Sequence, residues 1–331
     1  MKTDPLVSII IVNFNGKSYL EKCLSSLSKV KSPKFEIIIV DNCSSDDSLD
    51  FVKINYPTIL RIKLEKNFGF AYPNNIGAKN AKGELLLFLN NDTYVEPNFL
   101  DYLVNAINEN SDVAICQGLL LKPDMTIDSS GDFIDTMGVS YSSKNKVKKN
   151  SEILSAKGAC MIIKKEIFKK LNGFDEHFFI TFEDVDLGWR TWMLGYKVII
   201  VPKSIVYHYG GKTIDTIRSE IMFHGYKNQI IMKLTNFEFY YALKSSTKFM
   251  LIYGLREIQI WLDYKLKGKT KITNTKHDDF ISLIPDFNAF IKTIIWLSKN
   301  RKYLWNKRNQ IKSQRVLSTK DLIKKNLITK V

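Results

Sequence analysis

Val7-Ser8-Ile9-Ile10-Ile11-Val12-Asn13-Phe14-Asn15-Gly16 is the stretch from which the architecture is read. Leu6 to Val12 is an apolar, β-branched run, as in a strand buried on both faces, and Asn13-Phe14-Asn15-Gly16 reads as the turn after it. Downstream, Tyr19, Leu20, Cys23, Leu24 and Leu27 recur at helical spacing. Phe35 to Val40 reads as a second buried strand stopping at Asp41. Ser44, Ser45, Asp46 and Asp47 offer N-cap chemistry to a helix carrying Leu49 and Val52. Leu60 to Leu64 reads as a third strand, 70–81 as a helix, and Leu85 to Leu89 as a fourth strand ending at Asn90-Asn91-Asp92. Pro97 suits the first turn of a helix with Phe99, Leu100, Leu103, Val104 and Ile107. Strands alternating with helices imply an α/β fold, a parallel sheet with helices on both faces. In such sheets ligands bind at the C-terminal strand ends, where Asn13, Asp41 and Asp92 stand.

Beyond Val113 the pattern is irregular. Val113 to Gln117, Gly158 to Ile163 and Val198 to Val201 read as strands, and Phe182 to Leu194 as a short helix. Between the first two strands, Pro123 to Ser155 is polar, with Lys144, Lys146, Lys148 and Lys149 clustered; a mobile loop or hairpin is expected there. From about Ile214 the chain reads as helical and basic.

The 331 residues carry a formal net charge of +15, and its location is informative. Residues 1–213 hold 26 basic and 25 acidic side chains, whereas 214–331 hold 23 and 9. The expected division is therefore a catalytic domain over 1–213, with halves at about 1–112 and 113–213, followed by a basic region over 214–331. A partner of negative charge is expected to meet that region. Cys23, Cys43, Cys116 and Cys160 form no C-x-x-C pair and are expected to be reduced, as in a cytoplasmic protein. No signal-peptide pattern opens the sequence. The longest charge-free apolar stretch of the basic region, Phe249 to Leu255, is far short of the roughly 20 residues that span a bilayer.

No G-x-G-x-x-G opens the first helix, and no G-x-S-x-G is present, so neither a nicotinamide site nor a hydrolase elbow is supported. Gly211-Lys212-Thr213 resembles the end of a P-loop, but Val206 stands where its first glycine belongs. Asp41 offers a carboxylate to the imide N–H of uracil or thymine; helix capping would also explain it. Asn90-Asn91-Asp92 suits a hard cation such as Mg²⁺ or Mn²⁺, held by one or two carboxylates plus substrate phosphates, or else a turn. Glu183, Asp184 and Asp186 open a helix. Favourable dipole interaction and an Asp186–Arg190 pair are one reading, general base catalysis the other. Helical geometry places Glu183, Asp186 and Arg190 near one face and turns Asp184 away. His208 is either structural or a second metal ligand beside Asp92.

In order and spacing these segments, with Asn67-Phe68-Gly69-Phe70-Ala71, Asn75-Ile76-Gly77, Gly158-Ala159-Cys160-Met161, Gly173-Phe174-Asp175-Glu176 and His224-Tyr226-Lys227-Asn228, resemble the inverting family 2 glycosyltransferases. The resemblance covers about residues 6–235 and is nearest to the rhamnosyltransferase- and galactofuranosyltransferase-like branch. It implies a GT-A fold, Rossmann-like, with a mostly parallel sheet flanked by helices. It also implies roles. Asp41 would bind the nucleobase, with Asn13 and Asn91 lining the same pocket. Asn67, Gly69 and Asn75 would shape the nucleotide and sugar side. Asp92 and His208 would hold Mg²⁺ or Mn²⁺. Asp184 would be the general base, with Glu183 nearby on acceptor or donor sugar hydroxyls, and Glu183 and Arg190 either on the acceptor side or supporting it from behind. Two departures stand out: the metal triplet is Asn-Asn-Asp rather than Asp-x-Asp, and Tyr72 and Pro73 replace the small residues common in their loop.

The donor is then expected to be a dTDP- or UDP-linked sugar. The acceptor would be a lipid-linked or other glycan hydroxyl, at the inner face of the cell membrane. Phe239, Tyr240, Tyr241, Phe249, Tyr253 and Trp261 interleave with Lys244, Lys248, Arg256 and Lys265, and Phe290, Trp296, Tyr303 and Trp305 with Lys299, Arg301, Lys302, Lys307 and Arg308. This pattern suits an anionic membrane surface; helices packed on the catalytic domain with a solvated basic face would also produce it. No nucleic-acid module accompanies the charge. A sugar nucleotidylyltransferase is the competing enzyme, but Asn13-Phe14-Asn15-Gly16 is not its glycine-rich basic loop. A non-catalytic sugar-binding scaffold of the same fold is the remaining alternative.

Overall fold

The computed structural model describes residues 6–210, 218–267 and 284–331. Its centre is four parallel strands: β1 (Val7–Asn13), β2 (Phe35–Asp41), β3 (Leu60–Lys63) and β4 (Leu85–Leu89), in the order β4-β1-β2-β3. Side chains alternate between two cores, as the twofold period of a strand requires. Ile10, Ile38, Val40, Leu86 and Phe88 face one core, and Val7, Ile9, Ile11, Ile39, Leu85 and Leu87 the other. The connecting helices are α1 (Lys17–Leu27), α2 (Ser48–Asn55) and α3 (Ala71–Asn80), followed by β5 (Thr93–Val95) and α4 (Phe99–Glu109). Pro97 stands just before the N-cap Asn98 rather than inside α4. Pro73 lies in the first turn of α3, where a missing N–H costs nothing.

The second half extends the same sheet. β6 (Val113–Leu121), β7 (Ile127–Ser129), β10 (Ser151–Glu152), β11 (Cys160–Lys164) and β12 (Lys197–His208) join it. Among the described residues the order is β10-β12-β6-β11-β4-β1-β2-β3, with β5 beside β12 and β7 beside β6. The stretch expected as a loop or hairpin, Pro123 to Ser155, is built into strands. Besides β7 and β10 it forms the hairpin β8 (Asp132–Asp135) and β9 (Ser140–Ser142), and β8 also pairs in parallel with β13 (Ile328–Thr329). The strand expected over Val198 to Val201 runs on, with an irregularity after Val201, as far as His208. His208 therefore ends a strand instead of following a turn.

Two helices, α5 (Lys165–Lys170) and α6 (Glu183–Met193), complete this half. Helices α7 (Arg218–Asn236), α8 (Phe239–Lys267), α9 (Ile284–Lys299), α10 (Arg301–Gln314) and α11 (Thr319–Lys324) pack beyond it. The expected boundary at 213/214 and the Gly211-Lys212-Thr213 segment lie outside the described residues, as do the side chains of Tyr253, Arg256, Trp261 and Lys265. The tail's aromatic residues mostly turn inward: Phe249 and Phe290 are buried, and Tyr241, Trp296 and Tyr303 partly so. Phe239, Tyr240 and Trp305 are exposed, but most of the exposed apolar surface is aliphatic: Leu243, Leu251, Ile252, Leu255, Ile258 and Leu262 on α8, and Ile291, Ile294 and Ile295 on α9. Among the described residues no helix is long and apolar enough to cross a membrane.

Candidate active site

The parallel register sets Asn13 opposite Asp41 at the ends of β1 and β2. The Asn13 amide donates to Asp41 Oδ1 at 3.2 Å and to Ser48 Oγ at 2.8 Å, and its Oδ1 accepts from Asn91 at 2.9 Å. Asp41 Oδ2 accepts the Ser44 N–H at 2.9 Å. Asp41 is wholly enclosed. In this arrangement it fixes the Asn42–Ser48 loop rather than presenting a bare carboxylate. Asn67 Oδ1 accepts from Asn42 and from the Gly69 N–H, each at 2.8 Å, which shapes the turn before α3. Gly69 has φ +77, and a Cβ there would lie 2.0 Å from the Phe179 carbonyl oxygen; only glycine lets the two loops meet. The Asn75 amide bonds both N–H and C=O of Phe174 and also Glu176, so it ties α3 to the 173–176 loop.

Asp92 stands just past β4, beside the end of β12. Its Oδ2 accepts the Gly210 N–H at 3.1 Å, and its Oδ1 lies 3.4 Å from His208 Nε2. The other ring nitrogen, Nδ1, lies 2.9 Å from Asp128 Oδ2. Burial works against a charged ring, but Asp128 and Asp92 outweigh it and raise the His208 pKa to about 9. Burial likewise opposes the Asp128 carboxylate, yet His208, Lys157 and Lys144 hold it down at about 2.

Asp184 approaches from the other side. It is the partly buried carboxylate at the start of α6, whereas Glu183 and Asp186 are buried. Asp184 Oδ2 accepts the Gly158 N–H at 3.0 Å, and its Oδ1 accepts the Val185 N–H at 2.8 Å. Ala159, next to Gly158, accepts the Asn90 N–H at 3.2 Å. A short chain of contacts thus joins the Asp184 carboxylate to the Asn90–Asp92 turn. Burial raises the Asp184 pKa, against the Gly158 N–H and Lys157. Asp132 at the start of β8 is pushed up to about 6, by burial first and the Asp184 charge second. Glu183 and Arg190, expected on the acceptor side or supporting it, both turn inward. Glu183 Oε2 has no hydrogen-bond partner among the described residues, and burial raises its pKa well above the usual value. Arg190 donates to Asp186 at 2.7 Å and to the Leu171 and Gly173 carbonyls, holding the back of α6. A cavity of about 520 Å³ opens on that back, between α6 and α10, and contains none of Asp41, Asp92 or Asp184.

Residues 8–172 match the sequence profile of Glycosyl transferase family 2. The chain belongs to that family. Residues 140–212 of this family 2 chain also match the N-terminal domain of galactosyltransferase. Among curated relatives, the O-antigen biosynthesis protein RfbC of Myxococcus xanthus is 32% identical over 222 residues, 62% of this chain and 17% of that protein. The poly(ribitol-phosphate) beta-N-acetylglucosaminyltransferase TarS of Staphylococcus aureus is 36% identical over 115 residues, 33% of this chain and 20% of that protein. The first three curated relatives are matched over only 17%, 25% and 33% of their lengths. Among solved structures, GalNAc-T7 with UDP, GalNAc and Mn²⁺ superposes with a TM-score of 0.61 at 19% identity, over 91% of this chain and 58% of that one. S. aureus TarS 1-349 in complex with UDP-GlcNAc gives 0.55 at 18% identity, over 93% and 88%. At these identities the likeness is one of fold, a GT-A architecture.

In this family 2 chain the described residues contain no ready-made group of three metal-binding side chains. Asp92 Oδ1 and His208 Nε2 nonetheless fit a divalent ion as a pair. Their 3.4 Å separation lets one cation with bonds of about 2 Å reach both. Asp128 on Nδ1 is the outer carboxylate that commonly orients a metal-binding histidine. Asp128, Asp132 and Lys157 were not legible in the sequence. All three belong to the irregular second half, and they reach the site only because β7 lies beside β6 and the 155–158 segment runs beside the start of α6. The four cysteines are free, with Cys23, Cys116 and Cys160 in the core.

Proposed function

We propose that the chain is a metal-dependent, inverting glycosyltransferase that moves a sugar from a UDP- or dTDP-linked donor to an acceptor hydroxyl. One observation carries this reading: hydrogen bonds link Asp41 through Asn13 to Asn91, and the neighbouring Asn90 N–H bonds Ala159, whose preceding residue Gly158 donates to Asp184. These contacts support a donor-side and an acceptor-side carboxylate working together near the C-terminal ends of the strands.

Asn13, Asp41, Asn67, Gly69 and Asn91 shape the nucleoside side, where Asp41 meets the base once the Asn13 contact yields. Asp92 and His208 would hold Mg²⁺ or Mn²⁺, which when bound offsets charge on the departing diphosphate. Asp184, fixed by two backbone N–H groups, takes the proton of the attacking hydroxyl. With a single carboxylate turned to the acceptor, direct displacement from the face opposite the leaving group is the simplest chemistry, and it inverts the anomeric centre. RfbC is named for O-antigen biosynthesis and TarS for transfer to poly(ribitol-phosphate), which supports a polymer acceptor; a lipid-linked glycan at the inner membrane face is the form proposed. The basic 214–331 region and the aliphatic outer face of α8 and α9 support docking on anionic lipid.

Two experiments test this. Incubation with a panel of UDP- and dTDP-sugars should release nucleoside diphosphate only with Mg²⁺ or Mn²⁺ and stop on chelation. Metal-independent release, or none with any donor, counts against the reading. Vesicle flotation should show binding that rises with anionic lipid content and weakens in salt; binding indifferent to lipid charge removes the membrane part.

A further inference from the structure

Asp128 is met by three cations. His208 Nδ1 is 2.9 Å from Oδ2, Lys157 Nζ is 4.0 Å from Oδ2, and Lys144 Nζ is 3.6 Å from Oδ1. Lys144 also donates to the Asp128 backbone carbonyl. Both lysines keep donors to spare: Lys157 spends one on Ser142 Oγ at 3.2 Å, and their side chains are 29% and 55% exposed for Lys157 and Lys144 respectively. The backbone under Lys157 is fixed between the sheet and the general base. Its N–H donates to Gln117 at 2.7 Å, and the next N–H, that of Gly158, to Asp184. Lys157 also faces Asp132 and Asp184, which absorb part of its charge. Just beyond Lys144, Lys146, Lys148 and Lys149 are exposed, and their ammonium groups have no hydrogen bond or ion pair among the described residues. Lys144 and Lys157 thus meet at Asp128, Lys157 also acting on Asp184, and Lys146, Lys148 and Lys149 follow exposed just along the chain.

We infer that this cluster is a phosphate site: Lys144 and Lys157 hold a phosphate of the acceptor, and Lys146, Lys148 and Lys149 draw it in. The inference rests on the proposed glycosyl transfer and narrows its acceptor to a phosphate-bearing one. Ammonium groups bind phosphate as point charges, without demanding one orientation. A phosphate held beside Asp184 would position the neighbouring hydroxyl for deprotonation.

The test is calorimetric titration of the full chain, saturated with nucleoside diphosphate and Mn²⁺, with inorganic phosphate and, separately, with dodecyl phosphate in neutral micelles. Both probes should bind, more weakly as salt rises. Tighter binding of dodecyl phosphate identifies a lipid phosphate as the source; equal binding identifies a phosphate along the glycan. Lys144→Gln with Lys157→Gln should weaken both probes at least tenfold. If that pair fails to fold, Lys146→Gln, Lys148→Gln and Lys149→Gln together should lower affinity severalfold and flatten its salt dependence. Unaltered phosphate binding in these variants overturns the inference. So does an equal loss of affinity for nucleoside diphosphate, since the lysines would then serve the donor. Lost phosphate binding in a wild-type chain that still releases nucleoside diphosphate sinks this inference alone; a chain that turns over no donor sinks the proposed function with it.

Discussion

Burial raises the pKa of both Asp184 and Asp132, and the Asp184 charge raises that of Asp132 further. A general base works only when ionised. Its folded pKa is raised, so transfer should rise with pH through a limb above the ordinary aspartate value of about 3.9. Lys157→Gln removes the cation that opposes this rise in pKa, so Asp184 should ionise at higher pH and the acid limb of kcat/KM should move up. A limb that stays put or moves down would show that Lys157 does not act on Asp184. At this scale the sequence was informative where a residue follows a strand or opens a helix: Asn13, Asp41, Asp92 and Asp184 are placed by periodicity alone. It was uninformative where a side chain could turn either way. Asn75 and Arg190 have suitable chemistry, but their amide and guanidinium are consumed by the 171–176 loop.

Among the elements, the Gly69 turn joins the two halves of the site. It touches the loop before α6, where Phe70 N–H donates to Phe179 O at 2.6 Å. Gly69→Ala puts a methyl group against that carbonyl in a left-handed backbone, and should cost roughly 1–3 kcal/mol of stability. Donor affinity should fall more than acceptor affinity, because the Asn42–Asn67 pair moves with the turn. Chemical denaturation and separate KM measurements check both; a fully stable variant with ordinary donor KM would show that the contact is dispensable. The repeating strands and helices up to α4 were legible because buried parallel strands are uniformly apolar. The stretch 123–155 was not, because its strands are two to four residues long and pair with remote partners, leaving too little alternation to detect. In the tail, aromatic–lysine interleaving could not distinguish an inward ring from an outward one.

For the whole molecule, the C-terminal segment is built into the rest of the fold. β13 adds to β8, the strand that begins with Asp132, while Leu327 and Ile328 are buried in the main core. Deleting residues 327–331 should therefore destabilise the fold, by roughly 1.5–3 kcal/mol for each of these two side chains, and slow transfer by loosening Asp132 beside Asp184. A truncated chain with unchanged melting temperature and turnover would mean the strand is incidental. The central claim is that Asp92 secures the donor and Asp184 takes the acceptor proton within one cleft. Donor binding and turnover, measured side by side in Asp92→Asn and Asp184→Asn, test it most directly. Asp92→Asn should lose metal-dependent donor binding, while Asp184→Asn should bind donor normally and turn over roughly 10²–10⁴ times more slowly. Wild-type turnover in Asp184→Asn, or undiminished metal-dependent binding in Asp92→Asn, would contradict it.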